Sequence, residues 1–129
     1  MRSENLPQIL IALLVIATVA VGLIVVGGPE AGRMEKRDES RIADLRKLGT
    51  FVQCVADLNQ NTLPEVLGQN TECNKDIRLA DPFTDTPYQY EKVSQTTYRL
   101  CAEMEVPDRT YYIARFEPST GCLTLSYPR

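Results

Sequence analysis

Four thiols carry most of the chemistry open to this sequence. They are Cys54, Cys73, Cys101 and Cys122, and none lies in a C-x-x-C motif. Four cysteines allow three pairings. Two disulfides formed in an oxidising compartment are the first reading. Four free, buried thiols are the second, and a zinc site drawn from four scattered thiolates is the third. Histidine is absent from the whole chain, which removes the commonest general base and metal ligand. No GxSxG, phosphate-binding loop or HExxH motif occurs. The remaining acid–base candidates are Asp81 and Asp85 in "DPFTDTPYQY", Asp81 to Tyr90. Nothing around them suggests burial, and their expected role is turn capping. "DPFTDT" supplies hard oxygen ligands but lacks the dense Asp/Asn/Gly spacing of a calcium loop. The expectation is therefore no enzyme, no cofactor and no metal.

The tyrosines Tyr88, Tyr90, Tyr98, Tyr111, Tyr112 and Tyr127 are the other candidates. They either form an interaction surface or fill the gap between a sheet and a helix with their hydroxyls at the rim; packing is the preferred reading. Tyr111 and Tyr112 are adjacent and should point to opposite faces, leaving at least one exposed. With 14 basic and 17 acidic residues the formal charge is -3. No basic patch stands out, so nucleic-acid binding is not expected.

The elements that must position these residues divide the chain unevenly. "LPQILIALLVIATVAVGLIVVGG", Leu6 to Gly28, carries no charge, and from Ile9 onward only Thr18 has a polar side chain. Twenty helical residues rise roughly 30 Å, about a hydrocarbon core. A lipid-embedded backbone must satisfy its own hydrogen bonds, so a helix is predicted. A cleaved signal peptide is the alternative, but its apolar region is shorter and "VVGGPEAG" fits a cleavage site poorly. The predicted organisation is a cytoplasmic stub and transmembrane anchor at 1–28, a linker at 29–35 and an extracytoplasmic domain at 36–129. Such a domain is small, and its core needs staples. The basic residues disagree with this orientation. Arg2 precedes the anchor while Arg33, Lys36, Arg37 and Arg41 follow it, which favours the C-terminal side inside. The cysteines favour the outside.

After "GGPEAG", a helix is predicted from about Met34 to Leu58. Its apolar stripe is Ile42, Leu45, Leu48, Gly49, Val52 and Val55. Its opening turns, "MEKRDESR", are charged all round and are expected near the membrane surface. Phe51, Cys54 and Leu58 form a second stripe that a polar loop could cover, bringing Cys73 to Cys54. Thr62 with Glu65 reads as a capping box, and Pro64 suits the first turn of a short helix ended by Gly68. From Tyr88 the period becomes two. "YQYEKV", "TYRLCAEMEV", "YYIARF" and "CLTLSY" read as strands, the first two joined by "VSQTT". Tyr98, Leu100, Ala102, Met104 and Val106 share one face. Cys101 and Cys122 are both out of phase with the apolar faces of their strands. On neighbouring strands they can meet, which predicts Cys101–Cys122 and, by exclusion, Cys54–Cys73. The fold class is α+β: an N-terminal transmembrane helix, then a helix packed on a small antiparallel sheet of three or four strands.

The order of helix, "LPEVL", loop, "DPFTDTPYQY", strand and "YRLC" resembles the soluble half of type II secretion pseudopilins and type IV pilin-like proteins. It also looks like bacterial single-pass proteins sharing "DP…PYxY…YxLCA". The resemblance covers about Glu35 to Ala102, and Asp81, Pro82, Pro87, Tyr88 and Tyr90 are its turn signature. It implies a pseudopilin-like domain held at a bacterial inner membrane by residues 6–28, with the domain in the periplasm. No Gly precedes the apolar run in "MRSENLPQILIALL", so a prepilin peptidase site is not expected. The implied work is non-catalytic: an interaction or assembly module engaging an envelope protein partner. A minor pilin or pseudopilin subunit of a secretion or pilus filament is the alternative, and a small periplasmic enzyme relying on Asp81 or Asp85 is a third class.

Overall fold

The computed structural model describes residues 5–69, 72–73 and 76–128. The chain forms two compact units, Met1–Met34 and Glu35–Arg129.

In the first unit, helix α1 spans Leu6–Val26. A run with no charged side chain lets it form without a partner face, and Pro7 suits its first turn. Its one hydroxyl turns inward on the backbone, with Thr18 Oγ1 donating to Leu14 O at 3.1 Å and Val15 O at 2.9 Å. Gly27 caps it in the left-handed region at φ 85°, where a side chain would be strained. None of its residues is buried.

Helix α2 spans Gly28–Leu58. The predicted linker at 29–35 is therefore helical. The break at "GGPEAG" is confined to Gly27 and Gly28, both with positive φ. Pro29 then fits a helix start, and Glu30 sits in the first turn and pairs with Arg33 at 3.7 Å.

The second unit is the predicted helix on a small sheet. Strands β1 (Gln89–Lys92), β2 (Thr97–Cys101), β3 (Phe116–Glu117) and β4 (Cys122–Ser126) are antiparallel in the order β1-β2-β4-β3. Ile42, Leu45, Leu48, Val52 and Ala56 of α2 meet Tyr88, Tyr98, Leu100, Phe116, Leu123 and Tyr127, with Leu63 closing one side. The helix can lie close because Gly49 has no Cβ: one placed there would meet Leu125 Cδ1 at 2.6 Å.

Three local expectations fail. The capping-box helix at 62–68 does not form. Gln60 and Asn61 leave α2 with φ 54° and 59°, and Thr62 Oγ1 turns back to Gln60 O. Glu65, the other half of the box, pairs with Lys92. The second strand ends at Cys101 instead of reaching Val106, because the amides of Glu105 and Val106 bond a carboxylate on α2 and Pro107 follows. "YYIARF" yields only the two-residue β3: Ile113 N donates to Tyr111 O in a tight turn, and Arg115 sits at φ 67°. In the second stripe Phe51 is buried but Leu58 is exposed.

Candidate functional site

Both predicted disulfides are present, Cys54–Cys73 and Cys101–Cys122. Cys101 and Cys122 are direct partners in the β2–β4 register, as their shared phase requires. Each bridge closes a loop of about 20 residues, a constraint worth about 3 kcal/mol. No free cysteine remains among the described residues. All four thiols are thus removed from nucleophilic or metal chemistry. Together with the one helix among the described residues that is long and apolar enough to cross a membrane, its apolar stretch wholly unburied, the bridges make this a membrane-anchored or secreted protein.

"DPFTDTPYQY" folds as a closed corner. Asp85 N donates to Asp81 O, Asp81 N to Thr86 O, and Tyr88 N to Leu79 O, each at 2.9 Å. Pro82 and Pro87 occupy exposed positions where no donor is needed, and Pro87 bridges Ala80. Tyr88 and Tyr90 then turn toward the helix side. The Tyr88 hydroxyl donates to Asp44 Oδ2 at 2.9 Å and that of Tyr90 to Pro64 O at 2.7 Å. Burial, then the Asp44 carboxylate, raises the Tyr88 hydroxyl well above its usual pKa.

The exposure expected of Asp81 is wrong. Its side chain caps the turn, accepting from Phe83 N at 2.9 Å and Thr84 Oγ1 at 3.0 Å. It is also only 4% exposed, because Arg41 Nε reaches it at 2.6 Å. Asp85 stays at the surface at φ 56°. The turn cap and the helix meet in a buried ionic cluster.

That cluster centres on Asp38 and Arg41, both essentially shut off from solvent. Arg41 Nη1 bonds Asp38 Oδ1 at 2.6 Å and Glu105 Oε2 at 2.8 Å. Asp38 also accepts from the backbone amides of Glu105 and Val106, at 3.0 and 2.8 Å, and from the Tyr111 hydroxyl at 3.4 Å. Arg37 makes a two-pronged bond to Glu105, at 2.7 and 2.8 Å. Arg109 pairs with Glu35 and Glu39 from the same loop side. Bonds from Arg37, then from Arg41, hold the Glu105 carboxyl down at about 2 against the burial that opposes them. Burial pushes Asp81 up, but the Phe83 amide, Arg41 and Thr84 outweigh it, and its carboxyl lies below the usual range.

The turns of α2 that open the second unit are therefore not solvated all round, since Asp38 and Arg41 are buried. The sequence signal was present. Asp38 and Arg41 continue the stripe of Leu45, Leu48 and Val52 toward the N-terminus at helical spacing. A stripe search that admits only apolar residues stops at Ile42.

Chemically the cluster is a clamp. The oxygens of Asp38 are occupied by an ion pair, two amides and a hydroxyl, so they are spent within the fold. It ties three separate segments together: α2, the Asp81 corner and the chain after β2. Among the described residues no group of His, Cys, Asp and Glu could hold a metal ion.

A groove of about 470 Å³ opens at the Cys101 end of the sheet, lined by Pro87, Gln89, Cys101, Met104 and Pro118 among others. It contains no ionisable side chain except Glu103, so it offers no acid–base pair. Gly121 on its wall is forced: at φ +67° a Cβ would lie 2.0 Å from Ala102 O. Of the adjacent tyrosines, Tyr111 packs on the core and Tyr112 stands free in solvent, the alternation the sequence predicts. No family model, curated protein or solved structure matches this chain.

Proposed function

We propose that this chain is a single-pass, non-catalytic protein of a bacterial inner membrane, whose α+β domain stands in the periplasm and serves as an interaction or assembly module. The observation that carries the reading is one chain holding both a wholly exposed apolar helix, α1, and two disulfides beyond it. Disulfides persist where the compartment is oxidising, and exposed apolar length is stable in lipid. The basic residues that point the other way are partly engaged within the fold, since Arg37 and Arg41 are bound by Glu105, Asp38 and Asp81. Ionisable side chains that serve as clamps, with no histidine, support a binding role over an enzymatic one.

Thiol labelling of the intact protein in membranes, with and without reductant, tests the location. Labelling only after reduction is the expected result. Four reactive thiols without reductant would overturn both the disulfide framework and the outside placement. The second reading, a subunit of a pilin-like filament, is favoured by the same unburied α1, which offers an apolar surface to sister helices. It requires a processed N-terminus, so intact mass showing Met1 retained removes it.

A further inference from the structure

Two aromatic side chains stand largely in solvent: Tyr112, 99% exposed, and Phe83, 51% exposed. Their loops are pinned to one end of the second unit. The chain before Tyr112 is held by Asp38 through the amides of Glu105 and Val106 and the Tyr111 hydroxyl. Arg109 of the same loop reaches Glu35, the first residue of the unit, at 3.0 Å. Phe83 lies 5.7 Å from the Arg41 guanidinium, and Asp81 two residues earlier bonds that same arginine. Both aromatics are thus fixed at the end where the domain joins its anchor. Only residues 27–34 separate that end from α1, a stretch that spans at most about 30 Å even fully extended.

We propose that this end of the domain docks on the bilayer, with Tyr112 in the headgroup region and Phe83 as a second point of attachment. The proposal rests on the reading of α1 as a membrane anchor. The occupant follows from two facts. A tethered surface within that reach meets lipid before any soluble partner, at a very high effective concentration. Tyrosine is a residue of the membrane interface, with a ring that enters the apolar boundary and a hydroxyl that stays hydrated. The clamp then has a purpose beyond stability: it fixes two otherwise separate loops at the tether end, so that both rings can reach one surface.

The chain contains no tryptophan, so single substitutions report position without background. The test uses the full-length protein in phospholipid vesicles with brominated acyl chains, comparing Tyr112→Trp, Phe83→Trp, Val93→Trp and Val15→Trp. Val93 is a matched control. It is 54% exposed and begins the β1–β2 hairpin, whose Thr96 accepts from Tyr127, and Tyr127 bonds Asp57 at the far end of α2. Any lipid preference of tryptophan itself acts equally there. Expected is severalfold stronger quenching, with a blue-shifted emission, for Tyr112→Trp than for Val93→Trp, and an intermediate effect for Phe83→Trp. Equal, weak quenching of Tyr112→Trp and Val93→Trp while Val15→Trp is strongly quenched overturns the docking and leaves the anchor intact. An unquenched Val15→Trp overturns the anchor reading and the docking with it.

Discussion

The two ends of the second unit are built by opposite means. At Glu35–Arg41 the helix is fastened by buried charge, with Arg41 bonded to Asp38, Asp81 and Glu105. From Ile42 to Ala56 it is fastened by apolar side chains, with the Tyr98 hydroxyl bonded to Gly49 O at 3.1 Å. The two are equally dry: Asp38, Leu45, Leu48 and Val52 are all fully buried. They differ in how damage is shared. Trimming an apolar side chain leaves its neighbours with smaller gains of the same sign. Deleting a charge leaves its partners buried and uncompensated. The charged end is accordingly close to all-or-none. It also constrains geometry more tightly, because the planar arginine fork and the two amides on Asp38 accept few arrangements.

The largest expected effect breaks the charged end. Asp38→Ala takes one of three carboxylates from the buried Arg41 and strands two backbone amides, and should cost about 3–5 kcal/mol in denaturant unfolding. Leu48→Ala at the apolar end should cost about 2–5 kcal/mol. If Leu48→Ala retains the corner at Asp81 by amide exchange while Asp38→Ala loses it, the contrast stands. Equal, diffuse loss in both would remove it.

Replacing both Cys101 and Cys122 by alanine should cost about 3 kcal/mol. That change should leave protection of the cluster amides Glu105 and Val106 in place, since Asp38 and not the bridge holds them.

Acid should separate the ends next. The folded Glu105 carboxyl titrates at about 2, below its ordinary 4.5. A depressed carboxyl stabilises the fold fully above its unfolded value, and that contribution is lost as pH falls from about 4.5 toward 2. Asp81 is shifted in the same direction. Acid unfolding should therefore begin at the charged end below pH about 4.5. Glu105→Gln should flatten that limb, read by stability measured across the range.

The smallest effect sharpens the apolar end. Burial, then the neighbouring Tyr90, raises the Tyr98 hydroxyl to about 12. It thus stays a neutral donor at ordinary pH. Tyr98→Phe removes its bonds to Gly49 O and to the Gln53 side chain, for about 1 kcal/mol by denaturant titration.

How far the sequence carries depends on how local the deciding physics is. The sequence by itself determined α1, because a charge-free run needs no tertiary partner to be helical. It determined the β1–β2 hairpin from its period of two, and the bridge Cys101–Cys122 from the phase those residues share. The disulfide that follows by exclusion, Cys54–Cys73, came with it. The corner at Asp81–Tyr90 was legible from its two prolines. Only the tertiary structure decided the rest. Thr62 and Glu65 have capping-box spacing, but the left-handed Gln60 and Asn61 turn the chain before the box can close. Val106 has strand phase, but Asp38 takes the amides a strand would need. Asp38 and Arg41 look solvated because their partners, Asp81 and Glu105, are distant in sequence. A charge is buried or exposed according to what the fold brings to it, and that is a property of long-range packing that no local pattern encodes.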